Sequence, residues 1–438
     1  MPKPLVRLSS RLFPKDKLYP DTILFWCCFG FVFGALLSGV FGLASVIIAG
    51  IISLAFSIYF AVKRDIFRKV ILIGLVSVFL GSSYFFIRLP DLADIGNDFM
   101  GTVSDRPVLS NGIVSFNTKS GEGSFRVTGR SSALINCGDT VFVSGIKKEA
   151  NSSKKISFPK SIKVVKNGSC PLRDRLFLLK DAIIGSFLKT MPPAEAGLAA
   201  GIIFGDRSHI PESLNKASIN TGTVHITALS GYNISVIISL FIPLSFFFPK
   251  KVKFFIVCLG IILFVLMVEG GSSVIRAALM GSLIFFAKGK GRRASIGNLI
   301  VFSAFVMTIF DPSVVVMDLG FELSFLALLG VVYLAPAVKR LFYGEDEKPG
   351  NIIGMAIDCF SAELCVLPLL LLKFGSGTIF SVLPNLLIIW TVPFAMLFSF
   401  LSGIIYLVCP PLGEIIGLFA SAILSYEIKA IIAFDMFL

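Results

Sequence analysis

Histidine is almost missing from this sequence: His209 and His225 are the only two in 438 residues. A nuclease or hydrolase that clusters imidazoles around a metal needs more than these can supply, so no metal site is expected. Charge is scarce as well, at 15% Asp, Glu, Lys and Arg against about 25% in soluble domains. That excludes an ordinary water-soluble globule. No Gly-x-x-x-x-Gly-Lys-Ser/Thr stretch occurs, which leaves the chain without a phosphate loop of its own for hydrolysing nucleotide. What it has instead is apolar length. Hydrophobic residues make up 55% of it and the mean hydropathy is +0.87. Runs of about 20 apolar residues, enough to cross a bilayer, recur from Ile23 almost to the end. The fold class is a polytopic α-helical membrane protein.

The net charge of +13 matters by where it sits. Lys3, Arg7, Arg11, Lys15 and Lys17 precede an apolar stretch, Thr22 to Gly39, that could pass for a signal peptide. It is too long for a typical h-region, and a second run, Phe41 to Val62, follows at once. These are read as two membrane helices joined by a tight turn. Lys63, Arg64, Arg68 and Lys69 come next, then a third helix from Val70 to Ile87. The positive-inside rule puts the N-terminus and the Lys63 loop in the cytoplasm and the chain beyond Arg88 outside. Residues 1–97 thus form an N-terminal three-helix unit.

From about Asp98 the pattern changes to short alternating runs at Ile113–Phe116, Phe125–Thr128, Val141–Ser144 and Ile162–Val165. Asn-Gly, Gly-Glu-Gly and Cys-Gly-Asp turns separate them. This is the pattern of a small all-β barrel or sandwich, placed at 98–170. Between Asp98 and Lys166 eleven Lys and Arg stand against five acids, a net +6. Domains of this size translocate largely regardless of charge, so the topology holds. Cys137 and Cys170 lie in or just after this region, while the other six cysteines sit in apolar segments. In an oxidising space the pair reads as a disulfide; two unpaired buried thiols are the alternative.

Leu172, Leu176, Leu179, Ile183 and Phe187 recur at helical spacing and predict an amphipathic helix along the outer membrane surface. Ala194–Gly205 is too short to span and is expected to be re-entrant. Residues 171–210 make up this interfacial part. From 211 to 438 the expected spans are Thr223–Phe248, Val252–Val268, Ser272–Ala287, Ala294–Phe310, Leu319–Val338, Ile352–Leu372, Thr378–Val392, Phe394–Val408 and Gly413–Ile432. Basic clusters at Lys250/Lys251/Lys253, Lys288/Lys290/Arg292/Arg293 and Lys339/Arg340 fall at every second turn, each on the cytoplasmic side. The total is about twelve spans. Prolines 384, 393, 410 and 411 interrupt the last three, and no repeat of 20–50 residues is evident.

Polar residues gather in Gly205-Asp-Arg-Ser-His-Ile-Pro and then in Thr221-Gly-Thr-Val-His-Ile-Thr-Ala-Leu-Ser-Gly-Tyr-Asn-Ile. His225, Thr227, Ser230 and Asn233 fall within nine positions, and Gly231 permits unwinding or close backbone approach. Such a cluster suits the lining of a wet cavity, although single Ser and Asn residues also serve as interhelical hydrogen-bond partners. Further on, Arg276 sits inside an apolar span, where an ionised side chain costs about 2.5–3.5 kcal/mol. Asp318 and Glu322 are four apart, expected on one helix face, and a carboxylate pair would repel a polyanion. An ion pair between Arg276 and Glu322 is one answer to both problems. Protonated acids, or a path for some other solute, are the others.

Here the sequence resembles a family. The segment 221–234 is similar to the hallmark of ComEC-type competence proteins, the inner-membrane channels of bacterial DNA uptake. So are Ser273-Val-Ile-Arg-Ala, Gly320-Phe-Glu-Leu-Ser-Phe-Leu-Ala with Ser324, and Pro384-Asn-Leu-Leu with Asn385. Many relatives have His where Asn233 stands and Gln where Glu322 stands. The metallo-β-lactamase-like domain that many append has no counterpart before the sequence stops, so the expectation is a short form without that nuclease.

The resemblance implies a channel that admits DNA, one strand of it, to the cytoplasm, with an exterior OB-like module. It also implies an extracytoplasmic DNA receptor and a cytoplasmic helicase or ATPase as partners, beside membrane lipids. The channel residues would be His225, Ser230, Gly231, Asn233, Arg276, Asp318, Glu322, Ser324 and Asn385. In the β-domain, Arg106, Lys119, Arg126, Arg130, Lys147 and Lys148 would meet single-stranded DNA, since OB-like barrels pair a basic groove with stacking aromatics. Phe99, Phe116, Phe125, Phe142 and Phe158 are the aromatics available there. No cofactor is called for. The rival reading is a proton-coupled secondary transporter or flippase using Asp318, Glu322 or Glu363. An intramembrane hydrolase using Ser230 and His225 is disfavoured, because five-residue spacing is awkward on a helix and no carboxylate orienter lies nearby. The protein is expected not to be an enzyme.

Overall fold

A computed structural model describes residues 20–61, 66–88, 98–110, 113–120, 123–130, 135–145, 155–157, 159, 161–223, 248–268, 272–289, 295–344, 350–374, 384, 387–388 and 390–436. The chain divides into two units, Arg88–Leu179 and Met1–Ile87 with Lys180–Leu438.

The first of these is built on a mostly antiparallel sheet. Its strands are β1 (Asp98–Val103), β2 (Val108–Ser110), β3 (Ile113–Ser120), β4 (Gly123–Gly129), β5 (Thr140–Ser144), β6 (Lys155–Ser157) and β7 (Ser161–Lys166). They lie in the order β6-β4-β3-β1-β5-β7, with β2 on β3 and β6 parallel to β4. The four alternating runs of the sequence are β3, β4, β5 and β7. The others were not legible: β2 and β6 have three residues each, too few to show a period, and in β1 the outward-facing Met100 hides the alternation. One face packs a core of Phe99, Val103, Val114, Phe116, Phe125, Val127, Ile135, Val141, Val143 and Ile162.

The expected disulfide is present, with the Cα atoms of Cys137 and Cys170 5.7 Å apart. Asp139 explains why they meet. Its buried carboxylate accepts from Asn136 N at 2.7 Å and from Gly168 N at 2.8 Å, drawing the two backbones together. A Cβ on Gly168 would lie 1.9 Å from Gly138 O, so only glycine permits the approach. Gly138 itself turns at φ +88°, where a side chain is strained. Cys-Gly-Asp is thus a corner built to close the bridge.

The second unit is helical. It begins with α1 (Pro20–Phe41), α2 (Leu43–Ala61) and α3 (Ile66–Arg88), in line with the three expected spans. Gly42, at φ +64°, makes the tight turn between the first two. α1 and α3 meet through small residues: Ser82 Oγ donates to Gly34 O at 3.0 Å, as membrane helix pairs commonly do.

α4 (Pro171–Thr190) carries the amphipathic pattern, but its buried face differs from the expected one. Phe177, Ile183, Ile184 and Phe187 are buried, whereas Leu172 and Leu179 are exposed. Phe177 belongs to the sheet unit, where the Arg106 guanidinium lies 5.8 Å from its ring centre. α5 (Pro193–Phe204) buries every residue from Ala196 to Phe204, consistent with the apolar composition that the sequence showed.

α6 (Glu212–Asn220), α7 (Lys250–Met267), α8 (Ser272–Gly289), α9 (Ile296–Phe310), α10 (Val314–Met317) and α11 (Leu319–Leu329) follow. A π-helical turn, Gly330–Leu334, leads into α12 (Ala335–Tyr343), and α13 (Asn351–Phe374), α14 (Val392–Val408) and α15 (Pro410–Asp435) complete the unit. The turn has a cause. Pro336 offers no N–H to the carbonyl four residues back and its ring crowds that carbonyl, so the Ala335 N–H reaches back to Gly330 O instead.

Among the described residues five helical stretches are long and apolar enough to cross a membrane: Pro20–Phe41, Lys69–Arg88, Leu319–Tyr343, Ile353–Lys373 and Pro410–Asp435. Shorter apolar helices lie at Leu43–Ser53, Pro193–Phe204, Phe255–Met267, Ser273–Phe286, Ile296–Phe310 and Val392–Val408. The expected spans at 223–248 and, for the most part, 378–392 lie outside the described residues. The two helices after them keep continuous because Pro393, Pro410 and Pro411 all fall in first turns, where a missing N–H costs nothing.

Candidate functional site

Of the expected channel residues, Arg276, Asp318, Glu322 and Ser324 are described; His225, Ser230, Gly231, Asn233 and Asn385 lie outside the described residues. The described four belong to α8 and to the start of α11, which pack together and bring two of the quoted motifs side by side. Ser324 Oγ donates to Ser273 Oγ at 3.3 Å. One helical turn along α8, Arg276 is buried, with its guanidinium carbon 5.5 Å from the Phe325 ring centre. Phe321 and Phe325, four apart, share a face with centroids 4.4 Å apart, so the ring beside the guanidinium is itself packed against a second one.

The expected Arg276–Glu322 ion pair does not form: among the described residues no ion pair joins the two. Glu322 is half-buried, and the charges that act on it are Lys373 and Asp318. Asp318 also departs from the expectation of a shared helix face. It has extended backbone and caps α11, its Oδ1 accepting from Gly320 N at 2.8 Å and Phe321 N at 3.3 Å. A capping carboxylate at a helix N-terminus is stabilised by the free N–H groups and the dipole. That gives Asp318 a structural occupation.

Arg276 therefore keeps its charge without a carboxylate, and its buried Nε has no hydrogen-bond partner among the described residues. A cation–π contact of this kind contributes about 2 kcal/mol when desolvated, less than the cost of placing the charge at membrane depth. Chemically the site is a fixed cation in an aromatic and hydroxyl setting, suited to an anion.

In the sheet unit Arg106, Lys119 and Arg130 are exposed; Lys147 and Lys148 lie outside the described residues, and of Arg126 only the strand position is described. Of the aromatics available for stacking, the fold withdraws three. Phe99, Phe116 and Phe125 are core residues, because their alternation points them inward. Phe142 instead faces outward between Met100 and Lys163, while Lys119, Thr102, Thr140 and Lys166 form the neighbouring row across β3, β1, β5 and β7. Lys163 and Lys166, both exposed, were passed over as DNA contacts. Their place beside Phe142 depends on strand register, which composition does not give.

The first polar segment after α5 forms a loop. Asp206 sits 3.1 Å from Lys180 Nζ. Its burial pushes the carboxyl up, but the Ser208 hydroxyl and Lys180 outweigh this and hold it below the usual range. Glu427 was missed altogether. It is fully buried on α15 with Oε1 2.8 Å from Thr391 Oγ1. The signal that singled out Arg276, a lone charge inside an apolar run, was equally available for it.

A family model described as competence protein matches residues 202–436, which take in the end of α5 and all of α6 to α15. The chain belongs to the competence protein family. Within that family it resembles the ComEC type, through ComE operon protein 3 of Bacillus subtilis (strain 168), at 24% identity over 251 residues. The match covers 56% of this chain and 31% of that protein, so the chain spans about a third of its relative's length. No solved structure matches. The competence match includes Arg276, Ser324 and Glu427 and leaves the sheet unit outside.

Proposed function

We propose that this competence-family protein is a membrane channel component that passes a single strand of DNA to the cytoplasm. Arg276 carries the reading. A buried guanidinium with no carboxylate partner among the described residues suits a transient phosphate, whereas a structural arginine would be expected to hold a fixed counterion. The remaining parts of the proposal are an arrangement of about twelve spans with the N-terminus in the cytoplasm of a bacterial inner membrane, and an exterior OB-like module at 98–170. The unit 1–97, the interfacial part 171–210 and the channel part 211–438 complete it. His225, Ser230, Gly231, Asn233 and Asn385 would line the path. A DNA receptor outside and a helicase or ATPase inside would deliver and pull the strand, and no catalytic step or cofactor is assigned to the chain. Outward-facing Lys163, level with Phe142, and Lys119 and Lys166 in the neighbouring row support a sequence-tolerant hold on DNA, led by charge.

The test is transformation of a deletion strain carrying Arg276→Lys or Arg276→Met. A lost charge-assisted phosphate contact of about 1.5–3 kcal/mol corresponds to roughly a tenfold to hundredfold fall in uptake. Arg276→Met should show that fall with protein levels in the membrane unchanged, and Arg276→Lys should recover part of it. Normal transformation in the deletion strain itself rejects the function.

A further inference from the structure

Glu427 lies two turns before the end of the 26-residue apolar helix α15 and is 0% exposed. Its Oε2 has no hydrogen-bond partner among the described residues. Its Oε1 is 2.8 Å from Thr391 Oγ1, and that same hydroxyl oxygen is 2.7 Å from the carbonyl oxygen of Ile388. A count of hydrogens decides what this means. Two oxygen–oxygen contacts this short each need a hydrogen between them. The hydroxyl of Thr391 has one, and the Ile388 carbonyl has none to give. The second has to come from the carboxyl group.

We propose that Glu427 is a proton-binding site. In the resting protein its Oε1–H donates to Thr391 Oγ1, and Thr391 donates in turn to Ile388 O. When the proton leaves, the Thr391 hydroxyl has to turn to the carboxylate, and the Ile388 carbonyl loses that bond. Proton occupancy thereby sets how firmly Ile388 and Thr391 are held to α15. Tyr426 takes part in the same hold, its hydroxyl donating to Leu387 O at 3.3 Å and its ring meeting Trp390 edge-on. An ionised carboxylate buried here with one hydrogen bond and no cation would cost several kcal/mol.

Among the described residues, the elements packed against α15 bring no counterion to Glu427. On α5, Glu195 accepts from Ser425 Oγ at 2.7 Å; on α6, Glu212 and Lys216 pair with each other at 2.7 Å, both exposed. α14 contributes Tyr406, over which Lys189 of α4 lies, and Cys409 follows it. Along α15 itself Lys429 is exposed, Asp435 accepts from Asn220 Nδ2 at 2.8 Å, and Glu414 is exposed in the first turns. The proposal concerns the protonation of one residue and stands apart from whether the chain conducts DNA.

The full chain in lipid bilayers is measured by infrared spectroscopy for the carbonyl stretch of a protonated carboxyl. At neutral pH the wild type should show a band that Glu427→Gln loses. In Thr391→Val it should shift, since the acceptor of the carboxyl hydrogen is gone. In the wild type it should disappear reversibly as pH rises. Identical bands in wild type and Glu427→Gln overturn the proposal, as does a band that no rise in pH removes. If Glu427→Gln does not fold, Thr391→Val decides, and an unshifted band there is the refuting result.

Discussion

The sheet unit and the helical unit handle polar groups in opposite ways. In the sheet, charges face outward and the interior is almost purely apolar; its one buried acid, Asp139, is held by two backbone N–H groups and sits beside a disulfide. The helical unit buries Arg276 and Glu427, whose Nε and Oε2 have no hydrogen-bond partner among the described residues. A buried polar group without partners costs free energy, and selection for stability alone would remove it. The difference teaches where to look for function: the sheet is built for endurance, and the helices keep groups that await something.

The largest effect that sharpens this contrast is expected from Phe116→Ala. Phe116 is 1% exposed at the centre of the sheet core, and truncation there costs about 3–5 kcal/mol. Protease resistance of Arg88–Leu179 within the intact protein should collapse while the helical segments stay protected. Next comes reduction of Cys137–Cys170, expected to remove about 2–4 kcal/mol from the same unit. Thermal melting with and without reductant reads it, and an unmoved transition would mean that the Asp139 corner alone closes the sheet. The smallest is Asp318→Ala, which removes the cap of α11 and should cost about 1 kcal/mol. Asp318→Asn, which keeps an acceptor, should cost less. A transport defect in Asp318→Asn at unchanged stability would break the comparison, because a capping residue would then prove to be functional.

Much of this was legible in the residues. Alternation located four strands, apolar length located the five helical stretches long enough to span among the described residues, and the cysteine pair was visible because its two members alone left the apolar segments. What escaped was set by register and by chain direction. Three of the five phenylalanines in the β-region point inward, which alternation implies once the strands are aligned but composition does not. Asp318 and Glu322 were read as helix neighbours, yet a helix start between them turned one into a cap. The Arg276–Glu322 pairing followed from cost alone, and cost does not say which side of α11 faces α8. Glu427 could have been found by the rule that drew attention to Arg276.

The π-helical turn at Gly330–Leu334 has a consequence for phase. Each residue of an α-helix advances the azimuth by about 100°, and one residue held in a wider turn offsets everything after it. Ahead of the turn, α11 presents Ser324 to Ser273 of α8; behind it, α12 presents Lys339 to Asp358 of α13 at 2.7 Å. The continuous rod Leu319–Tyr343 thus serves two neighbours whose directions no single uninterrupted helix was required to match. Gly330, whose Cβ would sit 2.4 Å from Ser361 O, lets α13 press against the rod where the offset is made. A deletion of one residue there would re-index the lower half against its partner and leave the upper half as it is, which makes this short stretch the splice at which two independently phased contacts are joined.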